Sequence, residues 1–154
     1  MSVAFRRESD EEHLEPKFEV PIPPGPNLVT RRGLSKIEAR MAELDGSLAS
    51  LSDEAEIAAA RRQLRYWRTR AATAQLVLPT DGARVAFGCT VTIAMNGQQR
   101  VLTIVGDDEA DPTAGLIAFS APLARAIMDA EPGEFVDFAG KDEAIEIIAI
   151  VAAD

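Results

Sequence analysis

Residues 34–74 read LSKIEARMAELDGSLASLSDEAEIAAARRQLRYWRTRAATA. Two apolar seams run through them. Leu34, Ile37, Met41, Leu44, Leu48 and Leu51 are spaced 3, 4, 3, 4 and 3 residues apart, and Ile57, Ala60, Leu64, Trp67, Ala71 and Ala74 repeat that spacing. This is the a/d pattern of a coiled coil, narrower than the apolar face of a helix lying on a globular core. Between the seams, Ser50-Leu51-Ser52-Asp53-Glu54 supplies a polar turn. Thr30 is the expected cap of the first helix and Ser52 of the second. Asp53, Glu54 and Glu56 then sit in a first turn, where the helix dipole favours carboxylates. Two seams joined by a tight turn predict an antiparallel hairpin whose arms are about 20 residues and ~30 Å long. An unbroken dimerising coiled coil is the competing reading. Gly46 and the polar turn argue against it, because glycine costs a helix about 1 kcal/mol.

Beyond the hairpin, Pro79-Thr80-Asp81-Gly82 breaks the pattern and the period changes to two. Val85, Phe87, Cys89, Val91 and Ile93 alternate with other residues, and Asn96-Gly97 is a strong hairpin signal. A return strand is expected at 101–105, followed by the acidic loop GDDEADP (106–112) and a short strand at 116–119. Ser120 as cap and Pro122 in the first turn predict a helix running to about Asp129. Pro132-Gly133 makes a turn, and strands near 134–138 and 144–151 close the chain. The fold class is α+β: a helical hairpin, then a strongly bent sheet with one helix. Upstream, a charge cluster and the stretch PKFEVPIPPGPN read as a polyproline-like tail, because proline lacks an N–H and drives its predecessor toward extended backbone. The organisation expected is a poorly ordered tail at 1–28, a coiled-coil finger at 29–78 and a second domain at 82–154.

The composition excludes several functions. With a net charge of −9, the chain does not hold duplex DNA through a broad cationic surface, so any nucleic-acid contact falls to a local basic patch. The charge is uneven: 81–154 carries 4 basic and 13 acidic residues, whereas 29–78 carries 9 and 6. Such opposite signs suggest modules with different neighbours. One cysteine, Cys89, and one histidine, His13, leave no material for a disulfide, a His/Cys metal site or a Ser-His-Asp triad. Cys89 reads as a small core residue. The N-terminus has no signal-peptide core, and no stretch approaches the ~20 apolar residues of a membrane span. The cytoplasm is the expected location.

The stretch IVGDDEADPTAGLIAFSAPLARAIMDAEPGEFVDF, from Ile104 to Phe138, resembles the C-terminal domain of the Gre family of transcription elongation factors. That family shows V-G-E-D-E-A-D, then G-x-I-S, then S-P-[IL]-A-R-A-[IL] and G-[DE]-x-[VI]. VTRRGL at 29–34 resembles the start of its finger, and AQLV at 74–77 the end. The proline-rich leader resembles a subgroup that carries an extra N-terminal tail. The resemblance spans residues 29–151. It implies a coiled-coil finger and an FKBP-like domain docking on the rim of the bacterial RNA polymerase secondary channel. It also implies a monomeric accessory factor rather than an enzyme. Acidic residues at the fingertip would share the polymerase's Mg²⁺ and help it cleave backtracked RNA, near the nascent 3′ end. The factor would have no metal or cofactor of its own. A non-cleaving homologue that regulates polymerase by occupying the channel is the alternative.

On this resemblance, the tip carboxylates are Asp53, Glu54 and Glu56. Partner binding falls to Asp107, Asp108, Glu109, Asp111, Ser120, Pro122 and Arg125. Arg61, Arg62, Arg65, Arg68 and Arg70 form a basic run on the second helix. The patch of Arg61, Arg62, Arg65 and Arg68 either contacts RNA or acidic channel walls, or is a solvated face that pairs with Glu38, Glu43 and Asp45 across the hairpin. Trp67 belongs to the seam, while Tyr66 points toward the second domain. The chain departs from the family pattern at the tip. Ser50 stands where the first carboxylate belongs, and Glu54 replaces an asparagine. The finger is also about seven residues shorter per arm, a loss of ~10 Å in reach. A prolyl-isomerase reading needs an aromatic-lined pocket, but only Phe87, Phe119, Phe135 and Phe138 are available in that domain, and most of them are expected to fill the core.

Overall fold

The computed structural model describes residues 19–152. Of the expected tail, 1–18 lie outside the described residues, His13 among them. The elements are β1 (Leu28–Val29), α1 (Arg31–Leu48), α2 (Glu54–Thr73), β2 (Gln75–Leu76), β3 (Cys89–Met95), β4 (Gln98–Val105), a 3₁₀ turn (Pro112–Ala114), β5 (Leu116–Ala118), α3 (Pro122–Ile127), β6 (Phe135–Phe138) and β7 (Lys141–Ala152).

The two long helices form the expected hairpin. Ile37, Leu44 and Leu64 are buried along the seam, and Leu34, Met41, Leu48, Ile57, Ala60 and Trp67 are half-buried there. Thr30 caps α1, its hydroxyl accepting from Gly33 N at 2.9 Å. The cap of α2 is Asp53, not Ser52: Asp53 Oδ2 accepts from Glu56 N at 3.0 Å. The two residue types compete for the same role. Asp53 holds it because the extended backbone before the first helical residue falls there, at φ −80° and ψ 129°. Gly46 lies inside α1, so the break between the arms comes only at 49–53. The second seam stops one residue early: α2 ends at Thr73 and Ala74 is already extended.

Two very short strands then cross the root of the hairpin. β1 pairs in parallel with β2, Leu28 with Gln75 and Val29 with Leu76. Strands of two residues carry no periodicity, so nothing in the pattern announces them.

The second module is a mixed five-stranded sheet in the order β5-β4-β3-β7-β6. Only β4 and β5 run parallel. The Asn96-Gly97 turn joins β3 to β4, with φ of 55° and 76° at its two residues, as a type I′ hairpin requires. Register shifts between Thr92 and Ile93 and between Val136 and Phe138 interrupt the ladder of β7; such irregularities bend and twist a sheet. Cys89, Val91 and Ile93 from β3, Leu102 and Ile104 from β4, and Ile145 and Ile147 from β7 form the buried face. Ala124 and Ile127 of α3 close over it. Each large aliphatic side chain buried there contributes roughly 1.5–3 kcal/mol. Val85 and Phe87 are buried too but precede the strand. Val85 exchanges backbone hydrogen bonds with the 129–130 segment instead. Alternation thus read burial correctly where it overestimated the strand.

Helix α3 also differs from expectation. Its N-cap is Ala121, without a side-chain hydrogen bond, and it ends at Ile127. Ser120 donates elsewhere, to Asp107 Oδ1 at 2.6 Å.

Candidate functional site

The fingertip is exposed from Ser52 to Glu56. Asp53 has one carboxylate oxygen committed to its cap, which positions it at the helix end. Glu54 and Glu56 stand in the first turn, as their types favour. Ser50 Oγ donates to Ser47 O at 2.9 Å, closing the end of the first arm. Among the described residues no group of three or more histidine, cysteine or acidic residues could by itself hold a metal ion.

The arginines of α2 divide into three kinds. Arg65 makes a two-pronged pair with Glu19, Nε and Nη2 each 2.7 Å from a carboxylate oxygen. Its hydrogen bond to Glu19 raises the Arg65 pKa and lowers that of Glu19. Arg68 reaches across the hairpin to Asp45 at 3.3 Å, whereas Glu43 pairs with Arg40 on its own helix. Arg61 and Arg62 make no ion pair among the described residues. Arg70 is different again. It is 2% exposed, and its Nε donates to Asp108 Oδ2 at 2.6 Å.

That bond fixes the finger to the second domain. Tyr66 Oη donates to the other oxygen of Asp108 at 2.5 Å, and the Arg70 guanidinium lies 5.9 Å from the Tyr66 ring centre. Burial, then the hydrogen bond to Asp108, pushes the Tyr66 hydroxyl well above its ordinary pKa. Beside them Glu109, 4% exposed, accepts from Thr30 Oγ1 at 2.5 Å. The Thr30 hydroxyl therefore serves the α1 cap and the neighbouring domain at once. Asn27, also buried, donates to Arg70 O at 2.8 Å and to Thr73 Oγ1 at 3.1 Å, satisfying the end of α2. The backbones meet as well: a Cβ at Gly106 would lie 2.2 Å from Leu28 O.

The acidic loop is thus largely an internal fitting. Asp108 and Glu109 hold the finger root, and Asp107 holds Ser120. Asp111 accepts from Thr113 Oγ1 at 2.8 Å and stays exposed. Pro122 and Arg125 are exposed on α3. The Arg125 guanidinium makes no ion pair among the described residues, although carboxylates abound in this domain. Arg125, Ser120, Phe119 and Met128 form one side of an open groove, and Pro24 to Pro26 of the leader form the other. Sequence reasoning placed Tyr66 toward the second domain but left Arg70 in an exposed basic run. The available signal was its position beside the apolar seam, three residues after Trp67.

The family model described as transcription elongation factor, GreA/GreB, C-term, matches residues 79–152. The transcription elongation factor GreA of Thioalkalivibrio sulfidiphilus is 34% identical over 114 residues, covering 65% of this chain and 72% of that protein. This chain belongs to the GreA/GreB family. The GreA of Xanthomonas campestris pv. campestris is 33% identical over 131 residues, 80% of this chain and 68% of its own. Some GreA relatives are matched over only about half of their length, 47% and 50% in two cases. Among solved structures, the prokaryotic GreA/GreB elongation factor from Nitrosomonas europaea aligns over 83% of this chain and 99% of that one, with TM-score 0.40 and 17% identity. The family match falls on the sheet domain, and the Thioalkalivibrio and Xanthomonas alignments, at 114 and 131 residues, are too long to be confined to it.

Proposed function

We propose that this chain binds bacterial RNA polymerase and acts through its secondary channel as an accessory elongation factor, not as an enzyme. The supporting observation is an exposed acidic tip on a finger whose root is fixed, by buried polar bonds, to a family-matched domain. The sheet domain docks on the channel rim through the face around Ser120, Pro122 and Arg125. The finger enters the channel beside the nascent RNA 3′ end. Its tip carboxylates, Asp53 and Glu54, would share the polymerase's Mg²⁺ ion, which would supply Lewis-acid activation of a water for in-line attack on backtracked RNA. Magnesium takes oxygen ligands at ~2 Å, so a tip carboxylate serves only if an oxygen is free to reach the ion. Glu54 has an unencumbered carboxylate, and Asp53 retains one oxygen beyond its cap. Such a factor works in the cytoplasm as a monomer. Among the described residues no helix is long and apolar enough to cross a membrane.

A second reading rests on Ser50 and the short arms. It has the finger occupy the channel without reaching the metal, and exclude other channel binders. A photocrosslinker at position 52 tests the shared part of both. Crosslinks to the polymerase segments lining the secondary channel are expected. Crosslinks to none of them would overturn the placement.

A further inference from the structure

The leader is attached to the finger at two points of unequal strength. At Asn27 it is fixed: the side chain is buried and bonded to the end of α2, and the backbone oxygen accepts from Gln75 N at 2.8 Å. At Glu19 the hold, among the described residues, is an exposed ion pair to Arg65, with side chains 60% and 52% accessible. Between them, among the described residues, no hydrogen bond holds residues 20–26. Proline at four of those seven positions removes most of the donors that could have made one. Among the described residues the segment is a strap, closed at its far end by the Glu19–Arg65 pair.

The contact has a particular chemistry. A carboxylate gripped in a fork by Nε and Nη2 occupies the geometry in which arginine grips a phosphate. The site lies among cations that have no such partner. Arg61 and Arg62 are unpaired among the described residues, and the positive field of Arg62 reaches Glu19 as well. A solvent-exposed pair of this kind is weak and screened by water and salt, so a competing anion can displace it.

We infer that Glu19 is a built-in competitor for an anion site on the second arm of the finger, formed by Arg65 with Arg61 and Arg62. The ligand class is the phosphodiester backbone of single-stranded RNA. The inference rests on the proposed function, in which the finger enters the channel beside the nascent RNA 3′ end. With the strap closed, the leader's carboxylate neutralises the centre of the patch. With RNA bound, Arg65 exchanges that carboxylate for a phosphate and the strap opens as far as its anchor at Asn27. A chain of net charge −9 gains specificity from this arrangement, because weak polyanion encounters do not open the site.

The test is fluorescence anisotropy of a short labelled single-stranded RNA at low salt, with the full-length chain as wild type, Glu19→Gln, Arg65→Gln and the double variant. Glu19→Gln is expected to tighten binding by up to about fivefold. Arg65→Gln is expected to weaken binding below wild type, and Glu19→Gln to have no effect in the Arg65→Gln background. Unchanged binding in Glu19→Gln overturns the inference. So does a gain that persists without Arg65, since that is only a change of net charge, and so does no measurable RNA binding by any of the four. Polymerase binding by the same proteins is measured separately. Loss of polymerase binding with an intact RNA response would sink the polymerase reading alone.

Discussion

Arg70 and Asp108 stand 38 residues apart in sequence and 2.6 Å apart in space, with side chains 2% and 8% exposed. One belongs to the second arm of the finger and the other to the loop after β4. Their bond sets the angle at which the finger leaves the domain. Removing one member of a buried pair strands the other charge, at a cost of about 3–5 kcal/mol. Asp108→Ala should therefore lower the urea midpoint substantially. A change within 0.5 kcal/mol, typical of surface positions, would mean the pair is solvated.

Tyr66 makes this joint sensitive to alkali. It is the one tyrosine in the chain, so absorbance near 295 nm follows it alone. Its folded pKa is raised by burial and by Asp108. A raised folded pKa means the contribution to stability is complete below the unfolded value, ~10, and is lost as pH climbs from there through the folded value. Stability should be insensitive to Tyr66 at neutral pH and fall above about pH 10. Tyr66→Phe should flatten that alkaline fall. A native titration midpoint at the ordinary tyrosine value would refute the burial.

Two glycines offer opposite outcomes for one substitution. At Gly106 a new Cβ meets the Leu28 carbonyl, backbone that cannot yield, so Gly106→Ala should destabilise by roughly 1–3 kcal/mol or more. At Gly46, inside α1, a Cβ meets nothing within 4 Å. Gly46→Ala should stabilise by about 0.5–1 kcal/mol. Equal effects at the two sites in thermal melts would contradict the described root.

Asp53 has a structural and a chemical role that can be separated. Asp53→Ala should cost about 1 kcal/mol through loss of the cap. Asp53→Ser should keep most of that stability, because serine caps equally well, while removing the carboxylate. Thermal melts distinguish the pair; if both variants lose the same stability, the cap is not what Asp53 provides.

Much of this architecture was legible in the sequence, and the losses have physical causes. The 3-4 spacing from Leu34 and the Asn96-Gly97 turn identified hairpin and sheet because each encodes its geometry locally. The caps slipped by one residue at Ser52 and Ser120, since neighbouring Ser, Asp and Ala positions differ only in backbone angles that sequence does not carry. The strands β1 and β2 are too short to hold a period. The acidic loop read as docking surface and domain core together, and which carboxylate does which was not legible, because one facing solvent and one facing a buried arginine look alike until residue 70 is brought to residue 108. The tip carboxylates and the α3 face were assigned through resemblance alone, and they are exposed.

The most direct test uses a stalled, backtracked elongation complex with cognate polymerase and 3′-extruded RNA. RNA length is followed after adding wild type or the Asp53→Ser/Glu54→Gln double variant. The account predicts that wild type shortens the RNA, and that the variant does not but still displaces wild type from the complex. Competition for the channel without cleavage by wild type would leave the channel-occupying reading. Neither cleavage nor competition with a channel-binding factor would contradict the account at its centre, the binding of this chain to polymerase.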